Sequence, residues 1–291
     1  MPQAETILFK RTTIVGPGLL GASIAMGLRE KKISGEIWVW LRDEKKADAC
    51  GKSYWCDRAL IDLKEAVIGS DLILLCTPVE SILEQLDCIS QWAGEGCIVS
   101  DVGSLKKEIC EKGEQVFENK PSVFIGSHPM AGSERAGMEF ASSKLLVQKH
   151  CIVTPAKNTG EDEISKITML WKRLGMEVSR IGMEKHDEVI SWISHLPHLV
   201  ASSLINAIIS RNPKMIKYSG NGLRDTTRIA SGNPKMWMQI LLGNKENLQQ
   251  GIEDLIKSLE EFKEALSNGD RLNLLKILQS AKDSRDLLDE Y

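Results

Sequence analysis

TTIVGPGLLGASIAMGL, Thr12–Leu28, is the stretch on which the fold turns. A β-branched run, Thr12–Val15, meets Gly16-Pro17-Gly18-Leu19-Leu20-Gly21, and a helical pattern follows. Three glycines at this spacing are weak evidence alone. Here they sit between a strand and a helix, with a second strand, EIWVW (Glu36–Trp40), just beyond. That context predicts a dinucleotide-binding turn. Gly16 permits the tight turn, Gly18 lets the backbone approach a pyrophosphate, and Gly21 lets the helix lie close to the sheet. The first helical amides, at Leu19 and Leu20, belong to a helix N-terminus of the kind that binds phosphate oxygens.

Outward from this loop the chain alternates. DLILLCTP (71–78), CIVSDVG (97–103), SVFIGSHP (122–129) and CIVTPA (151–156) are short apolar runs separated by amphipathic segments, and EVSRI (177–181) reads as a last strand. Such runs read as strands buried on both faces of a parallel sheet. After about Met183 only helical patterns remain. The expected fold is therefore α/β, a Rossmann-type doubly wound and mainly parallel sheet followed by an all-helical second domain. Residues 1–183 would form the nucleotide-binding part and residues 184–291 the helical part.

Composition narrows the function. The 37 basic and 40 acidic residues nearly cancel, leaving a net charge of -3, so no electrostatic footprint for nucleic acid or an anionic membrane is expected. No apolar run reads as a membrane span, and the N-terminus lacks the apolar segment of a signal peptide. The seven cysteines are odd in number, form no CxxC pair and often lie in apolar runs, which suits reduced core thiols in a cytoplasmic protein.

Strand ends in an open α/β sheet carry the chemistry. Thr77 and Pro78, Ser104, and His128 would all reach the same edge. A histidine there can take a proton from a hydroxyl while hydride leaves the same carbon. Further on, Ser194, His195 and His198 lie in SHLPH; at helical spacing Ser194 and His198 share a face. His186 precedes His195 by nine residues, the opposite side of an ideal helix, so no metal site is expected. Trp237 reads most simply as core.

GPGLLGASIAMGL, LLCTPVESI, SDVGSLK, GSHPMAGSERAG, EKHDEVISWISHLPHLVASSL and GLRDTTRIASGNPKMWMQI occur in this order. Together, over about residues 12 to 245, they resemble the prephenate/arogenate dehydrogenase family of tyrosine biosynthesis. The resemblance implies oxidative decarboxylation of prephenate to 4-hydroxyphenylpyruvate, or of arogenate to tyrosine. It implies that His128 assists proton loss from the C4 hydroxyl, with Ser104 orienting His128 and the nicotinamide. Arg228 would bind a substrate carboxylate, an arginine being suited to bidentate pairing; Arg224, four residues earlier, is the second cation on that helix. Ser194, His195 and His198 would make polar contacts to the substrate. A homodimer through the helical part is expected, and neither the mutase nor the regulatory domain fused to many relatives is expected here. Another Rossmann-plus-helical hydroxyacid dehydrogenase or imine reductase, or a catalytically silent nucleotide sensor, would share the layout; the former usually carries a lysine where SHLPH stands.

The cofactor is read at the end of the second strand. An Asp or Glu there would bind the ribose 2′-hydroxyl of NAD. After Trp40 stand Leu41, Arg42 and Asp43. Arg42 would pair with a 2′-phosphate, so NADP is favoured, with NAD the alternative if a small register shift brings Asp43 to the ribose.

Overall fold

A computed structural model of the chain describes residues 7–132, 135 and 137–288; Ser133, Glu134 and Ala136 of the GSHPMAGSERAG motif lie outside the described residues. The first half alternates strand and helix: β1 (Phe9–Val15), α1 (Leu19–Glu30), β2 (Ser34–Trp40), α2 (Glu44–Gly51), β3 (Arg58–Leu60), α3 (Leu63–Val67), β4 (Leu72–Leu75), α4 (Val79–Trp92), β5 (Ile98–Asp101), α5 (Lys107–Phe117), β6 (Val123–Pro129), β7 (His150–Pro155), α6 (Glu161–Arg173) and β8 (Glu177–Arg180). Helices alone follow: α7 (Met183–Ile190), a wide π turn (Ser191–His195), α8 (Leu196–Arg211), α9 (Asn221–Thr227), α10 (Pro234–Gly243), α11 (Lys245–Ser267) and α12 (Arg271–Leu287).

The strands form one sheet in the order β3-β2-β1-β4-β5-β6-β7-β8. All neighbours are parallel except β6 and β7. Among its described residues the link from β6 to β7 has two short 3-10 turns and no crossover helix, and a parallel return needs a crossover. Every residue of β4 is buried, and its side chains alternate between two cores. Leu72 and Leu74 join the layer holding Ala22, Leu28, Leu170 and Trp171, under α1 and α6. Ile73 and Leu75 join Ile82, Leu86 and Ile109, under α4 and α5. Strand order reverses between β1 and β4, which opens a crevice at their carboxyl ends.

α7, the π turn and α8 run end to end for 29 residues, Met183–Arg211, and by length and composition this helix could cross a bilayer. The sequence predicts one long helical pattern here with a proline inside it, and the structure forms it; only the expectation that no run reads as a membrane span is corrected, on length and composition. Pro197 follows directly on the π turn, at the junction with α8, where the regular hydrogen-bond ladder is already interrupted. The helix's buried positions include His186, Asp187, Ser191, His195 and His198, so its hidden side is largely polar.

Candidate active site

The glycine loop is built from backbone. Gly16 has φ +87, a conformation open to glycine, and a Cβ there would lie 2.5 Å from Thr77 Cγ2. Its carbonyl accepts from Gly18 N at 2.8 Å, closing the turn. A Cβ on Gly21 would lie 2.7 Å from the Gly16 carbonyl oxygen, so α1 touches the loop backbone. Gly18 faces open space, with nothing within 4 Å of a Cβ built there. It precedes α1, whose first turn has no side-chain cap and no acidic residue. Bare amides at a helix N-terminus, beside an exposed glycine, suit a pyrophosphate.

Thr77 donates from its hydroxyl to Gln85 Oε1 at 2.8 Å while its methyl lies against Gly16. It shapes the crevice wall, and Pro78 starts α4 beside it. At the end of β2, Leu41 is buried and Arg42 exposed. The Asp43 side chain caps α2, accepting from Lys46 N at 3.0 Å.

His128, 7% exposed, lies near the end of β6. Its Nδ1 is 2.9 Å from Nε2 of His186. His186 Nδ1 is 2.7 Å from Asp187 Oδ1. The Asp187 carboxylate also accepts from Lys106 N at 2.8 Å and Lys107 N at 3.0 Å, the start of α5, which has no cap within its own segment. Beneath lies a fully buried ion pair between Lys106 and Asp101, whose carboxylate also accepts from Gly103 N at 2.8 Å and Ser127 N at 3.2 Å.

On the helical side, Asn244 Nδ2 donates to the Asp187 carbonyl at 2.7 Å and lies 3.1 Å from His195 Nδ1. His195 is 1% exposed, and its Nε2 has no protein partner among the described residues. A buried donor without a partner is costly, so a site atom is expected to receive it. His198 stacks on Trp237, ring centroids 3.5 Å apart and 9° between planes. Trp237 is therefore a half-buried platform, not the core residue expected from its apolar neighbours.

Burial disfavours the charged imidazoles. It holds His128 well below the ordinary histidine range, aided by the neighbouring His186, which could not share a second positive charge there, and by the ammonium of Lys106. His186 is lowered by burial despite Asp187, and His195 is lowered to about 4 by burial. Burial lowers His198 too. The Asp187 carboxyl is raised by burial, but the bond from His186 and the two α5 amides outweigh this and hold it below the ordinary range.

The structure adds to one sequence expectation and changes another. Among the described residues Ser104 makes no hydrogen bond to His128; it lies half-buried on the loop after β5, and His186 is the partner of the ring. Nor are His186 and His195 set on opposite sides. The π turn between them widens the helix, and the two join one network through Asp187 and Asn244. Sequence reasoning missed His186, Asp187 and Asn244 as site residues. The adjacent His-Asp pair was the only signal, and their partners lie 49 to 81 residues away. Ser194 is half-buried in the π turn; Arg224 and Arg228 are exposed, at the end of α9 and just after it.

Two family models match the chain: "Prephenate dehydrogenase, nucleotide-binding domain" over residues 24–180 and "Prephenate dehydrogenase, dimerization domain" over residues 182–280. The prephenate dehydrogenase of Bacillus subtilis is 32% identical over 284 residues, 94% of this chain and 74% of that protein. The structure of prephenate dehydrogenase from Aquifex aeolicus, in complex with hydroxyphenyl propionate and NAD+, superposes with a TM-score of 0.89 at 30% identity, covering 96% of this chain and 98% of that one. Synechocystis arogenate dehydrogenase superposes at 0.82 and 28% identity, covering 96% and 99%. A nucleotide-binding sheet, a buried histidine at its edge and a helical half that meets it at Asp187 are thus the parts of an oxidoreductase, and the chain belongs to the prephenate dehydrogenase family.

Proposed function

We propose that the protein oxidises prephenate to 4-hydroxyphenylpyruvate and carbon dioxide, with NADP+ as the preferred acceptor. The observation that carries this reading is His128, an uncharged imidazole fixed at the sheet edge beyond the glycine loop. The bound cofactor supplies the hydride acceptor. Gly16, Gly18 and Gly21, with the amides of Leu19 and Leu20, hold its pyrophosphate, and Thr77 and Pro78 form the adjoining wall. His128 would take the C4 hydroxyl proton as hydride leaves C4 for the cofactor, making C4 a carbonyl; the ring carboxylate then leaves as carbon dioxide, its bonding pair completes the aromatic ring, and the resulting phenolate takes the proton back. Ser104 lines the same edge. Arg228 pairs with a substrate carboxylate, with Arg224 adding positive charge, while Ser194, His195 and His198 contact polar atoms of the substrate.

The NADP preference rests on the end of β2. Arg42 is exposed there, and Asp43 is engaged as a helix cap. NAD+ in the Aquifex complex is a property of that protein. The helical half pairs with a second copy, consistent with a dimerisation model over residues 182–280 and with Leu272, Leu275 and Leu278 lying 82, 63 and 57% exposed on α12. We place the protein in the cytoplasm, where its seven unpaired cysteines stay reduced. Residues 1–183 and 184–291 are the proposed domains.

Steady-state kinetics with prephenate and arogenate, each with NAD+ and NADP+, tests the assignment. The highest kcat/KM is expected for prephenate with NADP+. A preference for arogenate would move the reading to arogenate dehydrogenase.

A further inference from the structure

We propose that His186 and Asp187 are positioning residues that hold His128 in one tautomer, proton on Nδ1 and lone pair on Nε2. This rests on the reading of His128 as the proton acceptor. The direction of each hydrogen bond follows from the donors available. Asp187 is an ionised carboxylate fixed by two backbone N–H groups, so it can only accept. His186, 2.7 Å away through Nδ1, must donate to it. A neutral His186 with its proton on Nδ1 has a lone pair on Nε2. That nitrogen lies 2.9 Å from His128 Nδ1, so His128 must be the donor there. Its second nitrogen, Nε2, is then the basic one, and that is the form a proton acceptor needs.

The surroundings keep the chain in this state. His186 is fully buried, and Lys106 lies near it, its charge paired with Asp101 on β5. His195 on the π turn and the Cys151 thiol on β7 stay neutral, and Asn244 at the start of α11 is uncharged. A second proton on His186 would turn its Nε2 into a donor. His128 would then have to accept at Nδ1 and carry its own proton on Nε2, where it could not take one from substrate.

The test has a spectroscopic arm and a kinetic arm. Nitrogen-15 NMR of the full-length, histidine-labelled protein at neutral pH, with the signals assigned through His128→Asn, should show His128 protonated at Nδ1 and bare at Nε2; the reverse tautomer overturns the proposal. This arm needs no turnover. If the wild type fails to oxidise prephenate, the functional reading falls while the tautomer is still decided. In the kinetic arm, His186→Phe removes the acceptor, and His186→Gln keeps an amide oxygen able to reach the same ring. His186→Phe should lower kcat by about 10²-fold with KM for prephenate little changed, and His186→Gln should recover most of it. Equal losses in both variants, or a loss confined to KM, would mean that His186 only fills space.

Discussion

The glycine loop and the histidine cluster are built in opposite ways. The loop spans six consecutive residues and works through backbone: a left-handed glycine, a helix end and empty space at Gly18. The cluster is assembled from β6, α5, α7, the π turn and the start of α11, and works through side chains that must meet across both halves. Short-range geometry needs only the right local residues. Long-range geometry needs the whole fold, and it also buries imidazoles that solvent would otherwise charge.

Four changes sharpen that contrast. The largest effect is expected at His128. His128→Asn removes the proton acceptor and should lower kcat about 10²–10⁴-fold while leaving cofactor affinity unchanged; wild-type turnover in that variant would show that the proton leaves by another route.

Acid should strike the cluster and spare the loop. His128, His186, His195 and His198 have folded pKa values below their unfolded value near 6.5. As pH falls through that value the unfolded chain takes up protons that the folded one refuses, so stability is full above it and declines below it. For His195 alone, held at about 4, the loss reaches roughly 3 kcal/mol by pH 4. Urea unfolding from pH 7.5 to 4.5 measures it; a flat midpoint would mean that these rings charge freely in the folded state. The same lowering of His128 places the acid limb of kcat well below pH 6.5, where an unperturbed histidine would put it.

In the loop the two glycines should separate. Gly21→Ala forces a methyl to 2.7 Å from the Gly16 carbonyl and should cost about 1–3 kcal/mol of stability. Gly18→Ala has room in the free protein, so its thermal midpoint should hold while cofactor affinity falls. Equal melting temperatures for the two variants would contradict the packing. The smallest effect belongs to Arg42. An exposed arginine on a 2′-phosphate is worth about 1–1.5 kcal/mol, so Arg42→Ala should weaken NADP binding roughly tenfold and leave NAD binding alone. Unchanged NADP affinity by calorimetry would return Asp43 to consideration.

How much of this was legible follows from the same contrast. β4 announces itself as LILL because both faces are buried, and the glycine loop because its conformational demands select the residues in place. His128 was legible as a histidine at a strand end. Its partner was not, for two physical reasons. His186 reaches His128 through tertiary packing across 58 residues, and the π turn breaks the 3.6-residue spacing on which any face assignment depends. Trp237 misled because a tryptophan among methionines and isoleucine suits a core equally well; its stacking on His198 is a property of the assembled fold. The 29-residue helix was legible as one long helical pattern with a proline inside it; the π turn within it was not, because no residue type marks a widened turn.

The carboxylate of Asp187 closes the N-terminus of α5 from a different half of the chain. α5 packs in the core of the sheet through Ile109, Cys110 and Phe117, yet lacks a cap of its own. Separation of the halves would therefore bare two amides at the base of a core helix as well as parting the histidines. The consequence is cooperativity: loss of the helical half is felt inside the sheet, and the two halves should melt in a single transition.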